Sequence, residues 1–293
     1  MSAPVATTSS PAVRRSRGTV GTHLVMALFV AYFLLPFWWL LVAATKDNDG
    51  LFGSEPLWFA DLHLVDNLRL LFTQDDGLYL RWMGNSALYA ATSGVGATAI
   101  AALAGYAFAK LRFPGRNALF ALLLGLIMVP ATALVLPTYL LMAEVGLVDS
   151  VWAVILPSLL NPFGVYLLRV YAHDSVPDEM LEAARIDGAG EFRVFRSVAL
   201  PAMRPALVTV LLFTMVASWN NFFLPLVMLS DQNLYPLTVG LRSWYLSATI
   251  GNGGPALFNV IVIGSLVAIV PLIAAFLLLQ RYWRGGLTIG SLR

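Results

Sequence analysis

Six stretches of the chain run without a single charged residue. They cover 24–44, 85–109, 117–143, 150–168, 205–230 and, within 243–280, an apolar part from about 255 to 279. About 20 apolar residues carry a helix across the hydrocarbon layer of a bilayer. Lipid offers the backbone no hydrogen-bond partners, so such a segment must bond to itself as a helix. The pattern therefore predicts an all-α membrane protein with six transmembrane helices, over about 22–45, 85–109, 117–143, 150–169, 205–230 and 255–281. Buried helices of a water-soluble protein are the competing reading. Six of them at this length would leave almost no polar surface.

The first stretch follows Arg14, Arg15 and Arg17, as a signal peptide's apolar region would. A signal region is about 7–15 residues, and this one is longer. It reads as an uncleaved first span behind a disordered basic tail, 1–20. Prolines at 36, 130, 137, 157, 162, 225 and 271 predict kinked core spans. Membrane helices accept them where neighbours satisfy the freed carbonyls. Ala97, Ala101, Gly105 and Ala109 recur every four residues. That spacing either lets helices approach closely or is plain alanine richness.

Charge fixes the expected orientation. Of 18 basic residues, 14 fall on the N-terminal tail, the loops after the second and fourth spans, and the C-terminal tail, which includes 285–293. Only Lys46, Arg69, Arg81 and Arg242 fall on the other face. Basic loops stay cytoplasmic, so both termini are expected in the cytoplasm of a multi-pass plasma-membrane protein. Outer segments then join the spans at about 46–84, 144–149 and 231–254.

Composition agrees with lipid as the solvent. The 293 residues are 59% hydrophobic and only 12% charged, half the usual charged share. Disorder and a disulfide scaffold are excluded, the latter by the absence of cysteine. A net charge of +2 gives no nucleic-acid footprint.

Much familiar chemistry is missing. Neither lysine, Lys46 nor Lys110, follows the glycine of a P-loop, so ATP is not expected on this chain. His23, His63 and His173 make no metal-binding pair, and no metal or cofactor is expected. No Asp or Glu interrupts a span, which argues against a proton-driven carrier. The intramembrane polar residues are Asn161, Asn220, Asn221 and Asn259. They either bond between helices or line a polar solute pathway. Trp219-Asn220-Asn221 joins a stacking ring to amides and is the candidate substrate pathway.

The loop over 173–203 reads as two short helices. Asp174 or Ser175 can cap the first, with Pro177 in its first turn. Gly188 and Gly190 break it. Phe192, Phe195 and Val198 form an apolar stripe on the second, and Leu200-Pro201 ends it. A carboxylate at Glu182 beside small Ala183 and Ala184 suits helix-in-groove docking of a partner. Six acidic residues, Asp174, Asp178, Glu179, Glu182, Asp187 and Glu191, gather here.

Glu182-Ala183-Ala184, then Gly188, then Val198-x-Leu200-Pro201 resembles the EAA loop of ABC importer permeases. Val198 stands where that family usually has Ile. Asn161-Pro162-Phe163, Trp219-Asn220 through Pro225-Leu226, 237–241 and 280–288 are similar to the carbohydrate-uptake subgroup. Within it the chain is similar to the six-span, maltose-type sugar permease subunit, from about Tyr32 onward. The resemblance implies a bacterial or archaeal type I importer fold, with a six-span domain over 21–284 and alternating access. It implies a second permease subunit that makes a heterodimer with it; two ATPase subunits docked on the 173–203 loop; and an extracellular sugar-binding lipoprotein touching 231–254. Glu182, Ala183, Ala184, Asp187, Gly188, Val198, Leu200 and Pro201 would then couple ATP hydrolysis on a separate subunit to movement of a sugar. A permease for another small polar solute, a secondary carrier, and a membrane scaffold or enzyme remain as alternatives.

Overall fold

The computed structural model describes residues 18–250 and 257–280. The basic tail to Arg17, the glycine-rich 251–256, and the C-terminal residues from Arg281 lie outside the described residues. Helix is the regular structure throughout the rest. Four helical stretches are long and apolar enough to cross a membrane: Gly21–Ala44, Leu64–Lys110, Val151–Ser175 and Phe258–Leu279. The third predicted span is a bent pair, Arg116–Ile127 with Ala131–Glu144, turned through 100°. The fifth, Arg204–Trp219, meets the preceding Glu191–Ala202 at 81°. Six spans are reached when each bent pair is taken as one.

The breaks follow from particular residues. Helix α1 is Gly18–Ala44, and α5 (Arg116–Ile127) stops just before Val129-Pro130, because a residue preceding proline is pushed out of the α region. Val135–Glu144, α6, resumes after a 3-10 turn. The fourth span divides into α7 (Val151–Ser158) and α8 (Pro162–Ser175). The Asn161 side chain caps α8 at the Gly164 N–H (2.8 Å), and Pro162 occupies the first turn, where its missing N–H costs nothing. The fifth span ends as helix α12 at Trp219, and a short helix, α13 (Phe223–Met228), follows after Asn220 and Asn221.

Two expectations change in kind. The second span starts earlier than its apolar run, since α4 covers Leu78–Lys110. At 1.5 Å per residue it is about 50 Å long, well beyond the hydrocarbon layer. The outer segments are also folded. Asn48–Gly53 and Leu64–Thr73 form α2 and α3, and Leu237–Ile250 forms α14. Freedom from charge marks where lipid lies. It does not mark where a helix ends, and the outer ends are held by buried Tyr79, Trp82 and Trp244.

Helix α4 is the spine, packed along both α8 and α12. Ala97 and Ala101 are fully buried. A Cβ on Gly105 would stand 2.9 Å from the Arg169 backbone nitrogen of α8. The four-residue spacing therefore records close helix packing rather than plain alanine richness. The last long helix, α15 (Phe258–Leu279), closes the bundle beside α1 and α3. Most of α1 is exposed, with Leu24, Leu28, Phe29, Tyr32 and Phe33 each more than half accessible. An apolar helix open on nearly all sides suits lipid.

Two of the intramembrane asparagines bond between helices. Asn161 donates to Thr214 Oγ1 of α12 at 2.8 Å. Asn259 donates to Asn67 Oδ1 at 2.8 Å and accepts from Asn48 Nδ2 at 3.1 Å. Asn67 in turn donates to the carbonyls of Ala44 and Lys46. This asparagine cluster ties α2 and α3 to α15 at the end of the bundle where α15 begins.

Candidate functional site: the coupling loop

The loop between α8 and α12 folds as two helices against the bundle. Val176 before Pro177 is extended (φ −116°, ψ 99°), which ends α8 at Ser175. The first loop helix, α9, is then Asp178–Ile186. This corrects the capping expectation. Asp174 and Ser175 belong to α8, Pro177 takes the cap position, and no side chain caps α9. Asp178 and Glu179 still place negative charge at its positive end.

At the other end of α9 the chain makes a Schellman turn. The Gly188 N–H donates to Arg185 O and the Ala189 N–H to Ala184 O, both at 3.0 Å. Gly188 stands at φ +83°, a left-handed conformation that glycine adopts without strain. Gly190 then precedes the second helix, 191–202, built from α10 (Glu191–Val194), a π turn at Phe195–Ala199 and α11 (Leu200–Ala202). Pro201 cannot donate to the turn before it, and the widened π turn gives its ring room. The helix therefore runs through Leu200-Pro201 and ends at Ala202. The expected apolar stripe forms only in part. Val194, Phe195 and Ala199 are buried and Val198 half-buried, while Phe192 is 70% exposed, contrary to the expected stripe.

One continuous core joins loop and spans. Leu181 of α9, with Val194, Phe195 and Ala199, packs with Ala101, Ala102 and Tyr106 of α4, Leu168 of α8 and Val210 of α12. The Tyr106 and Phe195 rings lie 5.1 Å apart. Ion pairs clamp the same unit. Lys110, the last residue of α4, donates to Asp178 at 2.8 Å, and its side chain is only 7% exposed. Arg185 binds Glu191 through two bonds, 2.7 and 3.1 Å, across the Schellman turn. The hydrogen bond from Lys110, and then its charge, hold the Asp178 carboxyl below its ordinary range. The bond from Arg185 does the same for Glu191. Depressed carboxyl values stabilise the folded loop above the ordinary carboxylate pKa, and that contribution disappears as pH falls through the lowered values. Hydrogen-exchange protection across 178–191, corrected for intrinsic rates, is expected to stay level from pH 8 to 5 and to fall below about pH 4.

The opposite face of the loop is bare. Glu182, Ala183, Asp187 and Gly188 are exposed, beside Met180 (49%), Ile186 (85%) and Phe192. Ala184, Val198 and Leu200 are half-buried and face the bundle core. The predicted coupling residues thus divide: one set builds the turn and the anchor, the other a patch of carboxylates and apolar side chains open to a partner. Lys110, Arg185 and Tyr106 were not read as site residues. Lys110 carried a signal, as one of two lysines and the residue that ends an uncharged run.

Trp219, Asn220 and Asn221 are not brought to one wall. Trp219 is buried with Trp82 and Trp244. Asn220 is exposed and donates to Val216 O of its own helix at 2.9 Å. Asn221 is half-buried, and its carbonyl accepts from Thr238 Oγ1 at 2.7 Å.

Residues 94–284 match the binding-protein-dependent transport system inner membrane components. The chain belongs to this family. The arabinooligosaccharide transport system permease protein AraQ of Halalkalibacterium halodurans is 37% identical to it, over 90% of this chain and 92% of that protein. The Bacillus subtilis protein of the same name is 33% identical, over 94% and 95%. Among solved structures, a bacterial ABC transporter involved in the import of the acidic polysaccharide alginate contains a chain of the same fold. It matches with a TM-score of 0.79 at 24% identity, over 94% of this chain and 100% of that one. The chain is thus a membrane component of an ABC importer, a transport subunit and not an enzyme, with the importer permease fold. Membership in a binding-protein-dependent system implies ATPase and substrate-binding partners.

Proposed function

We propose that the chain is a sugar-translocating permease subunit, driven through the 173–203 loop by an ATPase that docks on its bare face. The observation that carries this reading is the two-sided build of α9. Leu181 and Ala184 lock one side into the bundle core, while Met180, Ala183, Ile186 and Glu182 stand open on the other. A partner that grips the open side moves α4, α8 and α12 with it, because the core between them is continuous. Sugar as the cargo rests on the subgroup phrases in the sequence and on the transport systems to which the relatives belong.

Both termini and the loop are cytoplasmic in this reading, which the distribution of 14 of 18 basic residues supports. A second permease subunit completes the pathway, two ATPases bind below, and an extracellular sugar-binding protein delivers cargo at the outer segment that contains α14. Of the three pathway candidates only Asn220, exposed just past the end of α12, keeps that role in this reading, since Trp219 is buried in the core. Glu182→Lys is expected to abolish sugar uptake and sugar-stimulated ATP hydrolysis in the reconstituted complex, with the chain still inserted at normal level. The exposed carboxylate reaches the fold only through its charge on Arg185, so loss of transport with the Arg185–Glu191 pair replaced by a neutral one as control reports the partner. Uptake at the normal rate would remove the docking assignment.

A further inference from the structure

We propose that the turn between α4 and α5 is a binding site for the headgroup of an anionic phospholipid. Arg112, Phe113, Gly115, Arg116, Asn117 and Ala118 line an open cavity of about 340 Å³. Two guanidinium groups belong to that lining and no carboxylate does. Arg112 is exposed. Arg116 donates to Leu111 O at 3.2 Å, which uses one of its five N–H groups. Nearby cations are otherwise engaged: Lys110 is paired with Asp178, and Arg169 lies 3.9 Å over the Phe120 ring. Among the described residues, the guanidinium groups with N–H groups to spare in this corner are those of Arg112 and Arg116.

The surface beside the cavity names the occupant. Leu119, Leu122 and Leu126 follow Arg116 along α5, spaced at three and four residues, and are 51%, 62% and 48% exposed. Residues at that spacing share one helix face. A free phosphate would use the arginines and leave this leucine face unmatched. A phospholipid uses both, with its phosphate at the arginines and its acyl chains along the leucines. Arginine suits the phosphate because its planar fork can donate two bonds at once. The location also fits, since Phe113-Pro114-Gly115 turns the chain between two spans, where headgroups lie. The proposal rests on the membrane reading and does not depend on the docking role of α9.

The test uses the full chain purified in nanodiscs that contain equal phosphatidylglycerol and phosphatidylcholine, with lipid retention read by native mass spectrometry. The wild-type chain is expected to retain phosphatidylglycerol preferentially. Arg112→Gln together with Arg116→Gln is expected to reduce that preference about thirty-fold, the effect of two basic residues near an anionic headgroup. Arg112→Gln alone, at an exposed side chain, is expected to cost about fivefold and serves if the double variant does not fold. Arg69→Gln with Arg81→Gln removes equal charge from the opposite face and is expected to leave the preference intact. Excess inorganic phosphate is expected not to displace the lipid. Equal retention of both lipids by the wild type, equal loss in the opposite-face variant, or displacement by phosphate would each overturn the proposal.

Discussion

Gly188→Val is expected to lower ATP-driven uptake by about tenfold or more, while the protein remains in the membrane. Nothing lies within 4 Å of the position a Cβ would take at Gly188, so crowding plays no part. The cost comes from the backbone. At φ +83° a β-branched side chain collides with its own carbonyl, and the turn must open. Opening it breaks the bonds from Gly188 and Ala189 to Arg185 and Ala184, and with them the last turn of α9. Ile186 and Asp187, on the exposed side of that turn, then leave their positions. Gly188→Asn separates this account from one based on side-chain size, because asparagine tolerates the left-handed region far better than valine. It is expected to retain most of the uptake. Equal loss in both variants would mean that the position needs space and not a turn.

The two variants also mark what the sequence disclosed about the loop. Glycine after a short helix, followed by a second glycine, is a stop signal with a physical cause, and the Schellman turn stands where that signal puts it. The capping of α9 was misread because Asp174 and Ser175 looked like a start, whereas Val176-Pro177 dictates the break. The Phe192 stripe failed for a different reason. Phe192 lies in the first turn of its helix, ahead of the π turn at Phe195–Ala199, and spacing says which residues share a face without saying how far along that face the core extends. The ion pairs were legible only as charges. Nothing in the spacing from Lys110 to Asp178 says that they meet, because their approach depends on how α8 returns the chain to the end of α4. In the spans the balance is similar. Charge-free runs coincide with the long apolar helices and the bent pairs, and prolines foretold the breaks at 130 and 162, whereas Pro36 and Pro271 lie inside continuous helices. The folded outer helices were hidden, since their anchors are the scattered residues Asn48, Asn67 and Asn259, far apart in the chain. Asparagine in a span announced a need for partners without naming them.

Gly105→Leu is expected to destabilise the bundle by about 3 kcal/mol, the upper part of the range for overpacking a close contact. At this position the crowding atoms are two backbone atoms and the Leu168 Cβ, which is fixed to the backbone. A Cβ would sit 2.9 Å from Arg169 N and 3.0 Å from the Leu168 carbonyl carbon, so no rotamer change can relieve it. The helices α4 and α8 must part instead, and the separation reaches the loop. Leu168 is fully buried in the same core as Leu181 and Phe195, so its displacement loosens the seat of both loop helices. The change is therefore expected to show twice. Thermal unfolding in detergent should move to lower temperature, and exchange protection in α9 should fall although α9 itself is unaltered. Gly96→Leu provides the comparison. Its Cβ would meet the Leu159 Cδ2 methyl at 2.5 Å, the mobile end of a side chain that can rotate away. That variant is expected to cost less and to leave α9 protected. If both substitutions loosen α9 equally, the close approach at Gly105 is not what connects the spine of the bundle to its loop.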